Sequence, residues 1–402
     1  MKLTLNLVGW LKKSIWRYMR KNKIVLLFDA NPLVSQQKSG VGYYTYRLVD
    51  QLAKSAPEQV ELVGHYFNFL GRKKPDLPTN KNISYKSSWI LPGKILSLLR
   101  KVGLQLPIEI LFKRRGDVAL FTNFVSLPSL LPISKITAVH DLCYIDHPEY
   151  MQPANQKFLM RFVSKSIKKS NLILTISEST KKSIEKHYPV QNKDILVTPI
   201  PPPASTKVGT RPNNLSWTGK YILFVGTLEP RKNFIALARA YALLPTHIKD
   251  EYALMLSGSL GWNIDDDMSE IEALRSDGNN IIITGYVSEV EKNYLYKHAS
   301  LFSLPSHYEG FGMPILEAMS FGIPVVVSDI AVFHEVADNA AVYFNQNDSN
   351  DIAKKLLGVL TDDKLQATLK KQGEIVLKEY SWPTVAKDVV SAISKLVNKR
   401  KF

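Results

Sequence analysis

Short apolar runs alternate along the chain with segments whose apolar residues recur at helical spacing. Ile24-Val25-Leu26-Leu27-Phe28, Ile136-Thr137-Ala138-Val139, Tyr221-Ile222-Leu223-Phe224-Val225 and Val325-Val326-Val327 read as buried strands. Helical pattern is predicted over Tyr43–Val49, which follows Ser39-Gly40-Val41-Gly42, over Met268–Leu274, and between Pro314 and Gly322. Strand-loop-helix-strand units of this kind place the chain in the α/β class. The 402 residues suggest two or three domains. The proline-rich piece Pro199-Ile200-Pro201-Pro202-Pro203, running on through Gly209 to Gly219, is the natural linker. The expected division is an extension over 1–23, a first domain over 24–200, a linker over 201–219, a second domain over 220–380 and a terminal segment over 381–402.

Candidate chemistry concentrates where a glycine-flanked loop runs into a short helix, in His307-Tyr308-Glu309-Gly310-Phe311-Gly312-Met313-Pro314-Ile315-Leu316-Glu317. Pro314 suits the first helical position, where a missing N–H costs nothing, and Gly322 suits the end. The free amides of the first turn, around Ile315 and Leu316, and the positive end of the helix dipole then predict an anion site. Glu309 lies in the loop and Glu317 about one turn into the helix, so the two carboxylates can grip different parts of one ligand. Upstream, the strand Tyr221–Val225 leads into Gly226-Thr227-Leu228-Glu229-Pro230-Arg231-Lys232-Asn233. A cationic pair at a strand's carboxyl end is suited to meet an anionic ligand.

With Glu317-Ala318-Met319, Gly322-Ile323-Pro324 and Ser328-Asp329 in place as well, this stretch resembles the E-x7-E signature of retaining, family-four nucleotide-sugar glycosyltransferases of the GT-B fold, in particular the mannosyl- and rhamnosyl-type transferases of bacterial surface polysaccharides. The resemblance extends over roughly residues 24 to 390, strongly after 220 and loosely between 55 and 130. It implies two Rossmann-like lobes facing a cleft, the first for the acceptor and the second for the nucleotide sugar, with the segment after Tyr380-Ser381-Trp382 crossing back to the first lobe. It implies that Glu309 positions the sugar, that Glu317 accepts hydrogen bonds from ribose hydroxyls, and that Arg231, Lys232 and the amides after Gly312 stabilise the departing diphosphate. His140 would face the cleft as a catalytic residue, Gly40 and Gly42 would lie near diphosphate and acceptor, and Gly258, Tyr286 and Val287 would surround the nucleotide, beside Gly310, Phe311 and Met313. The family often has an arginine directly after the glycine of the upstream loop; here Thr227 stands there, and Arg231 is the residue that can compensate. For His140 a satisfied structural histidine, and for Gly40 and Gly42 a plain helix start, remain open.

Composition adds location and partners. Residues 1–200 hold 31 Lys and Arg against 13 Asp and Glu, whereas residues 201–402 hold 21 against 23, so the whole net charge of +16 arises in the first half. Residues 1–23 carry seven basic and no acidic residues, with Leu7, Leu11, Ile15, Tyr18 and Met19 on one helical face and Trp10 and Trp16 beside them. That pattern predicts a helix lying on an anionic membrane surface, extended by Lys113-Arg114-Arg115 and by Lys165, Lys168 and Lys169; packing on the protein is the alternative. Nucleic acid is not an expected partner, because no binding module accompanies the charge. The single Cys143 precludes an intramolecular disulfide and suits a reducing interior, which together with the absence of a spanning apolar run predicts a cytoplasmic, peripheral protein on the inner face of the plasma membrane. The acids Asp265-Asp266-Asp267 are expected to open a helix rather than to hold a metal, and neither a metal nor a cofactor is expected.

The expected reaction moves a hexose or deoxyhexose, with GDP-mannose the favoured donor, to a saccharide acceptor that is lipid-linked, with retention. A nucleotide-sugar epimerase or hydrolase of the same fold and a non-catalytic binding scaffold are the alternatives.

Overall fold

The structure, a computed structural model, describes residues 23–35, 39–68, 70, 75–88, 105–190, 194–203, 209–213, 215 and 217–399. The expected amphipathic face of residues 1–22 lies outside them. Apolar runs become two parallel sheets. The first joins β1 (Ile24–Asp29), β2 (Val60–Phe67), β3 (Ile83–Ser88), β4 (Val118–Phe121), β5 (Ser134–Ala138), β6 (Leu172–Thr175) and β7 (Asp194–Val197) in the order β3-β2-β1-β4-β5-β6-β7. The second joins β8 (Lys220–Val225), β9 (Tyr252–Ser257), β10 (Ile281–Gly285), β11 (Leu301–Leu304), β12 (Val325–Ser328) and β13 (Ala341–Phe344) in the order β10-β9-β8-β11-β12-β13. Every pairing is parallel, and the central strands are covered on both faces, which is why they read as unbroken apolar runs.

In each sheet the strand order reverses once, between β1 and β4 in the first lobe and between β8 and β11 in the second. Loops leaving the carboxyl ends of such a pair diverge to opposite faces and open a crevice, which fixes where ligands bind in folds of this type. The motif loops at 226–233 and 305–312 leave β8 and β11.

The chain returns to the first lobe at its end. The helix Trp382–Lys399 packs on the helix Gly40–Ser55, burying Val385, Val389, Ile393 and Leu396, whose spacing makes one continuous apolar face. At its start the Trp382 ring lies 6.4 Å from that of Tyr43 and 6.2 Å from that of Tyr44. One apolar cluster therefore runs through both lobes.

Two boundaries differ from the sequence reading, and the acidic helix start is as expected. The helix that should follow Gly42 begins at Gly40, because Ser39 caps it by accepting a hydrogen bond from the Gly42 amide at 3.3 Å. Gly40 and Gly42 thus lie inside a first helical turn and not in a loop before it. Pro314 takes the second position of the helix Met313–Ser320, one later than expected. Asp265–Asp267 form the first turn of the helix Asp265–Ser276.

Candidate active site

Arg231 and Lys232 form a single 3-10 turn with Pro230 just past β8, and that turn aims both cations at the loop after β11. Arg231 Nη1 donates to Glu309 Oε2 at 2.8 Å and to the Tyr308 carbonyl at 2.9 Å; Lys232 Nζ donates to Glu309 Oε1, which also accepts from Ser306 Oγ at 2.8 Å. The other edge of the guanidinium is held by Glu229 Oε1, at 3.0 Å from Nε and 2.6 Å from Nη2. Burial pushes the Glu309 carboxyl up, but Arg231, Lys232 and the Ser306 hydroxyl outweigh it and hold the group at about 2. For Arg231, burial acts against the charge, and Glu309, Glu229 and Asp141 more than reverse it, so the pKa is raised. The cluster is an ionised, desolvated network in which both cations are already engaged by carboxylates. A diphosphate would have to draw Lys232 and part of Arg231 away from Glu309, freeing that carboxylate for a sugar hydroxyl.

Gly312 precedes the helix Met313–Ser320 with φ of +104°, a left-handed conformation that favours glycine, and a Cβ there would lie 2.8 Å from the Phe333 ring. The Ile315 amide is not free, as the sequence reading had it, but bonded to the Gly312 carbonyl at 3.0 Å. The amides of Gly312 and Met313 stand at the amino-terminal end of this helix, ahead of its first turn. The side chains of Ile315, Leu316 and Phe311 are buried in the lobe, Phe311 edge-on to Tyr380 at 5.9 Å, so only backbone groups of this stretch are offered. Glu317 is buried and bound by Lys292 Nζ at 3.0 Å and Tyr296 Oη at 2.8 Å. Burial lowers the Lys292 pKa, while Glu317 and Glu289 raise it further, leaving it above the ordinary value.

The first lobe closes on this loop. Ser177 Oγ donates to the Gly310 carbonyl at 2.8 Å, and Thr180 Oγ1 reaches it at 3.3 Å. A Cβ on Gly310 would stand 2.5 Å from the His140 carbonyl, so the glycine here is required by the opposite lobe. Tyr308 Oη accepts from the Leu142 amide at 3.0 Å, and the Glu335 carboxylate accepts from the amides of Glu178 and Ser179 at 2.5 and 2.9 Å. His140 is buried, its Nε2 paired with the Thr122 carbonyl at 2.7 Å, its ring edge-on to Tyr44 and Phe124 at 5.0 and 5.4 Å. Burial lowers its pKa to about 4, the Thr122 carbonyl offsetting only part of this, so the ring is neutral with Nε2 as the donor. Asp141 faces Arg231 across the seam; burial pushes its carboxyl up, and Arg231 opposes that only in part.

The nucleotide-side positions are spread more widely. Gly258 has φ of +154°, and a Cβ on it would meet the Gly226 carbonyl at 1.9 Å, so the close approach it permits is between two protein loops. Tyr286 and Val287 follow β10, with the Tyr286 ring exposed. Gly40 has open space where a Cβ would stand. The sequence reading missed Asp141, Ser306, Lys292, Tyr296 and the structural part of Glu229. Glu229 stood in the cationic motif and could have been paired with Arg231. Lys292 and Tyr296 carried no signal, because only packing brings their helix, Glu289–His298, against Glu317. Also missed was Tyr43, whose hydroxyl, like the Trp382 indole N–H, is buried without a hydrogen-bond partner among the described residues. No group of His, Cys, Asp and Glu suited to a metal occurs among the described residues.

Residues 210–376 match the family model described as Glycosyl transferases group 1. The O-antigen chain mannosyltransferase B of Escherichia coli is 30% identical over 388 residues, which span 92% of this chain and 100% of that protein. The chain belongs to the group 1 glycosyltransferases. The O-antigen chain mannosyltransferase RfbU of Salmonella typhimurium strain LT2 is 28% identical over 77% of this chain and 85% of its own. Among solved structures, the sucrose-phosphate synthase of Thermosynechococcus elongatus superposes with a TM-score of 0.70 at 15% identity, covering 94% of this chain and 100% of that one. That likeness is one of fold, and the two parallel-sheet lobes of this transferase are the GT-B arrangement.

Proposed function

We propose that this transferase moves a hexose, mannose from GDP-mannose being the favoured case, onto a saccharide acceptor during polysaccharide assembly, with retention at the anomeric carbon. The observation that carries the reading is the Arg231–Glu309–Lys232 cluster at the strand-order reversal of the second sheet, beside the amides of Gly312 and Met313. The choice of mannose and of polysaccharide rests on the similar mannosyltransferases.

In this reading the donor's diphosphate lies against Arg231, Lys232 and the two amides, which stabilise the charge that grows as the anomeric C–O bond breaks. Glu309, released from Lys232, aligns the sugar, and Glu317, with Lys292 and Tyr296 around it, meets the ribose. The acceptor hydroxyl attacks from the face the leaving group occupied, the new glycosidic C–O bond forms there, and the acceptor proton passes to a diphosphate oxygen. His140, neutral and fixed by Thr122, lines the acceptor side. No step in this scheme uses a metal ion.

The acceptor is a lipid-linked saccharide, and the protein is held at an anionic cytoplasmic membrane surface by its basic first lobe. No helix among the described residues is long and apolar enough to cross a membrane.

Incubation of purified protein with a panel of nucleoside-diphosphate sugars and saccharide acceptors tests the reading. An α-mannoside formed from GDP-α-mannose in the presence of chelator is expected. A β product would overturn retention, activity that needs an added divalent ion would overturn metal independence, and sugar release without acceptor would favour a hydrolase.

A further inference from the structure

Ten large apolar side chains are exposed among the described residues, and three of them belong to two segments that Glu109 ties together: Leu130 at 72%, Ile110 at 53% and Leu131 at 40%. Exposed apolar residues scattered singly are ordinary, whereas a contiguous set rimmed by polar groups marks an interaction surface. This one is built. Glu109, on the short helix Ile108–Phe112, accepts hydrogen bonds from the Leu130 amide at 3.1 Å, from the Leu131 amide at 3.0 Å and from Ser129 Oγ. Burial pushes the Glu109 carboxyl up, but the Ser129 hydroxyl and the two amides outweigh that and keep it ionised, with a pKa of about 2. The carboxylate therefore pins the backbone of the turn and leaves the two leucine side chains outside.

Cations lie nearby. Exposed Lys113 and Arg115 follow the Ile108–Phe112 helix, and Arg115 lines with Leu131 a cavity of 490 Å³ whose other walls include Val25, Ile133 and Val397. On the other side the helix Pro153–Lys169 ends in Lys168 and Lys169, and Lys169 is near enough to act on the buried Lys135, which bonds the Leu127 carbonyl behind the turn at 2.8 Å. An apolar tip with cations nearby complements an anionic bilayer: leucines enter the acyl boundary while Lys and Arg meet headgroups.

We propose that the Leu130–Leu131 turn with Ile110 is a rigid prong that inserts into anionic membranes. This rests on the membrane reading given above, and adds to it the part of the molecule that enters the lipid. The patch lies by the amino-terminal ends of β4 and β5, opposite the cleft, so docking there leaves the cleft open.

The test uses the full chain. Cys143 is its only cysteine and is buried, with its thiol pushed up to about 12 by burial, so Leu130→Cys can carry a polarity-sensitive fluorophore selectively. On vesicles containing phosphatidylglycerol the probe should shift to the blue and be quenched by brominated acyl chains. A Leu130→Ser, Leu131→Ser protein should partition onto those vesicles about tenfold or more weakly, in line with the apolar area withdrawn from insertion. It should still transfer to a soluble acceptor. Flotation of the labelled protein with the probe left in water overturns the prong but spares the membrane reading. Failure to float overturns both, and a blue shift that needs only high protein concentration would make the occupant a second copy of the chain and overturn the proposal.

Discussion

Ser177 of the first lobe donates its hydroxyl to the carbonyl of Gly310 in the second at 2.8 Å, so the loop that carries Glu309 is held in place by the opposite lobe. The same oxygen accepts from the Thr180 amide at 3.0 Å and so caps the helix Glu178–His187. Ser177→Ala should lower stability by about 1–2 kcal/mol, the usual loss for a cap and a buried hydrogen bond. Turnover should fall by about tenfold from loss of loop registration, on the scale of one such bond. Thermal melts and steady-state kinetics check this; a raised KM for the donor with unchanged kcat would contradict a registration role.

In the proposed reaction Lys232 gives the most direct test. Its ammonium is bound to Glu309, while Arg231 retains its own hold on that carboxylate and on Glu229. Lys232→Ala should therefore leave the fold intact and reduce kcat by about two or more orders of magnitude, the scale of losing one preorganised contact to developing charge. Near-normal turnover by a folded variant would remove Lys232 from the leaving-group site.

The two glutamates should separate kinetically. Glu309→Gln leaves Arg231 and Lys232 facing a neutral amide, and kcat should drop with little change in donor affinity. Glu317→Gln, with Lys292 losing its buried partner, should mainly weaken nucleotide binding. Equal, small effects on both parameters would argue that neither carboxylate touches the donor.

The sequence made the loops legible and left their partnerships hidden. Gly310 and Gly312 are consecutive with the helix they introduce, so the loop-to-helix start could be read directly. Glu309 and Arg231 are far apart in the chain, and only a resemblance could bring them together. Gly258 could be read as a close-approach glycine, but not that its neighbour is the Gly226 carbonyl. The start at Gly40 is hidden in the sequence because Ser39 acts as a cap only through its bond to the Gly42 amide. Lys292 and Tyr296 needed the packed second lobe.

Acid should weaken the protein in two stages. Burial lowers His65 and His140 from 6.5 to about 4, so between those values the unfolded chain binds protons that the folded chain refuses, and stability falls as pH drops. Glu309, lowered from 4.5 to about 2, contributes stability that is present above 4.5 and is lost as pH falls towards 2. Urea midpoints measured from pH 7 to pH 4 should decline, and decline less in His65→Gln, which removes one of the two buried imidazoles. An identical slope in the variant would count against burial of His65 as the cause.

Gly258→Ala should be among the most damaging single changes outside the charged cluster. The new methyl would collide with the Gly226 backbone, and the φ of +154° is one that L side chains rarely adopt. A loss above about 3 kcal/mol is expected, since neither loop can yield without shifting β8 or β9. Denaturant titration decides it, and a loss below about 1 kcal/mol would show that the two loops are not tightly apposed.

The helix Trp382–Lys399 covers a face of the helix Gly40–Ser55 against which Trp382, Val385, Val389 and Ile393 are buried. During synthesis that face, with Tyr43 and Tyr44, stays bare while the whole second lobe is being made. The first lobe to emerge from the ribosome is therefore the last to be completed, and a chain broken off near residue 380 would carry an open apolar groove for chaperones and proteases to find.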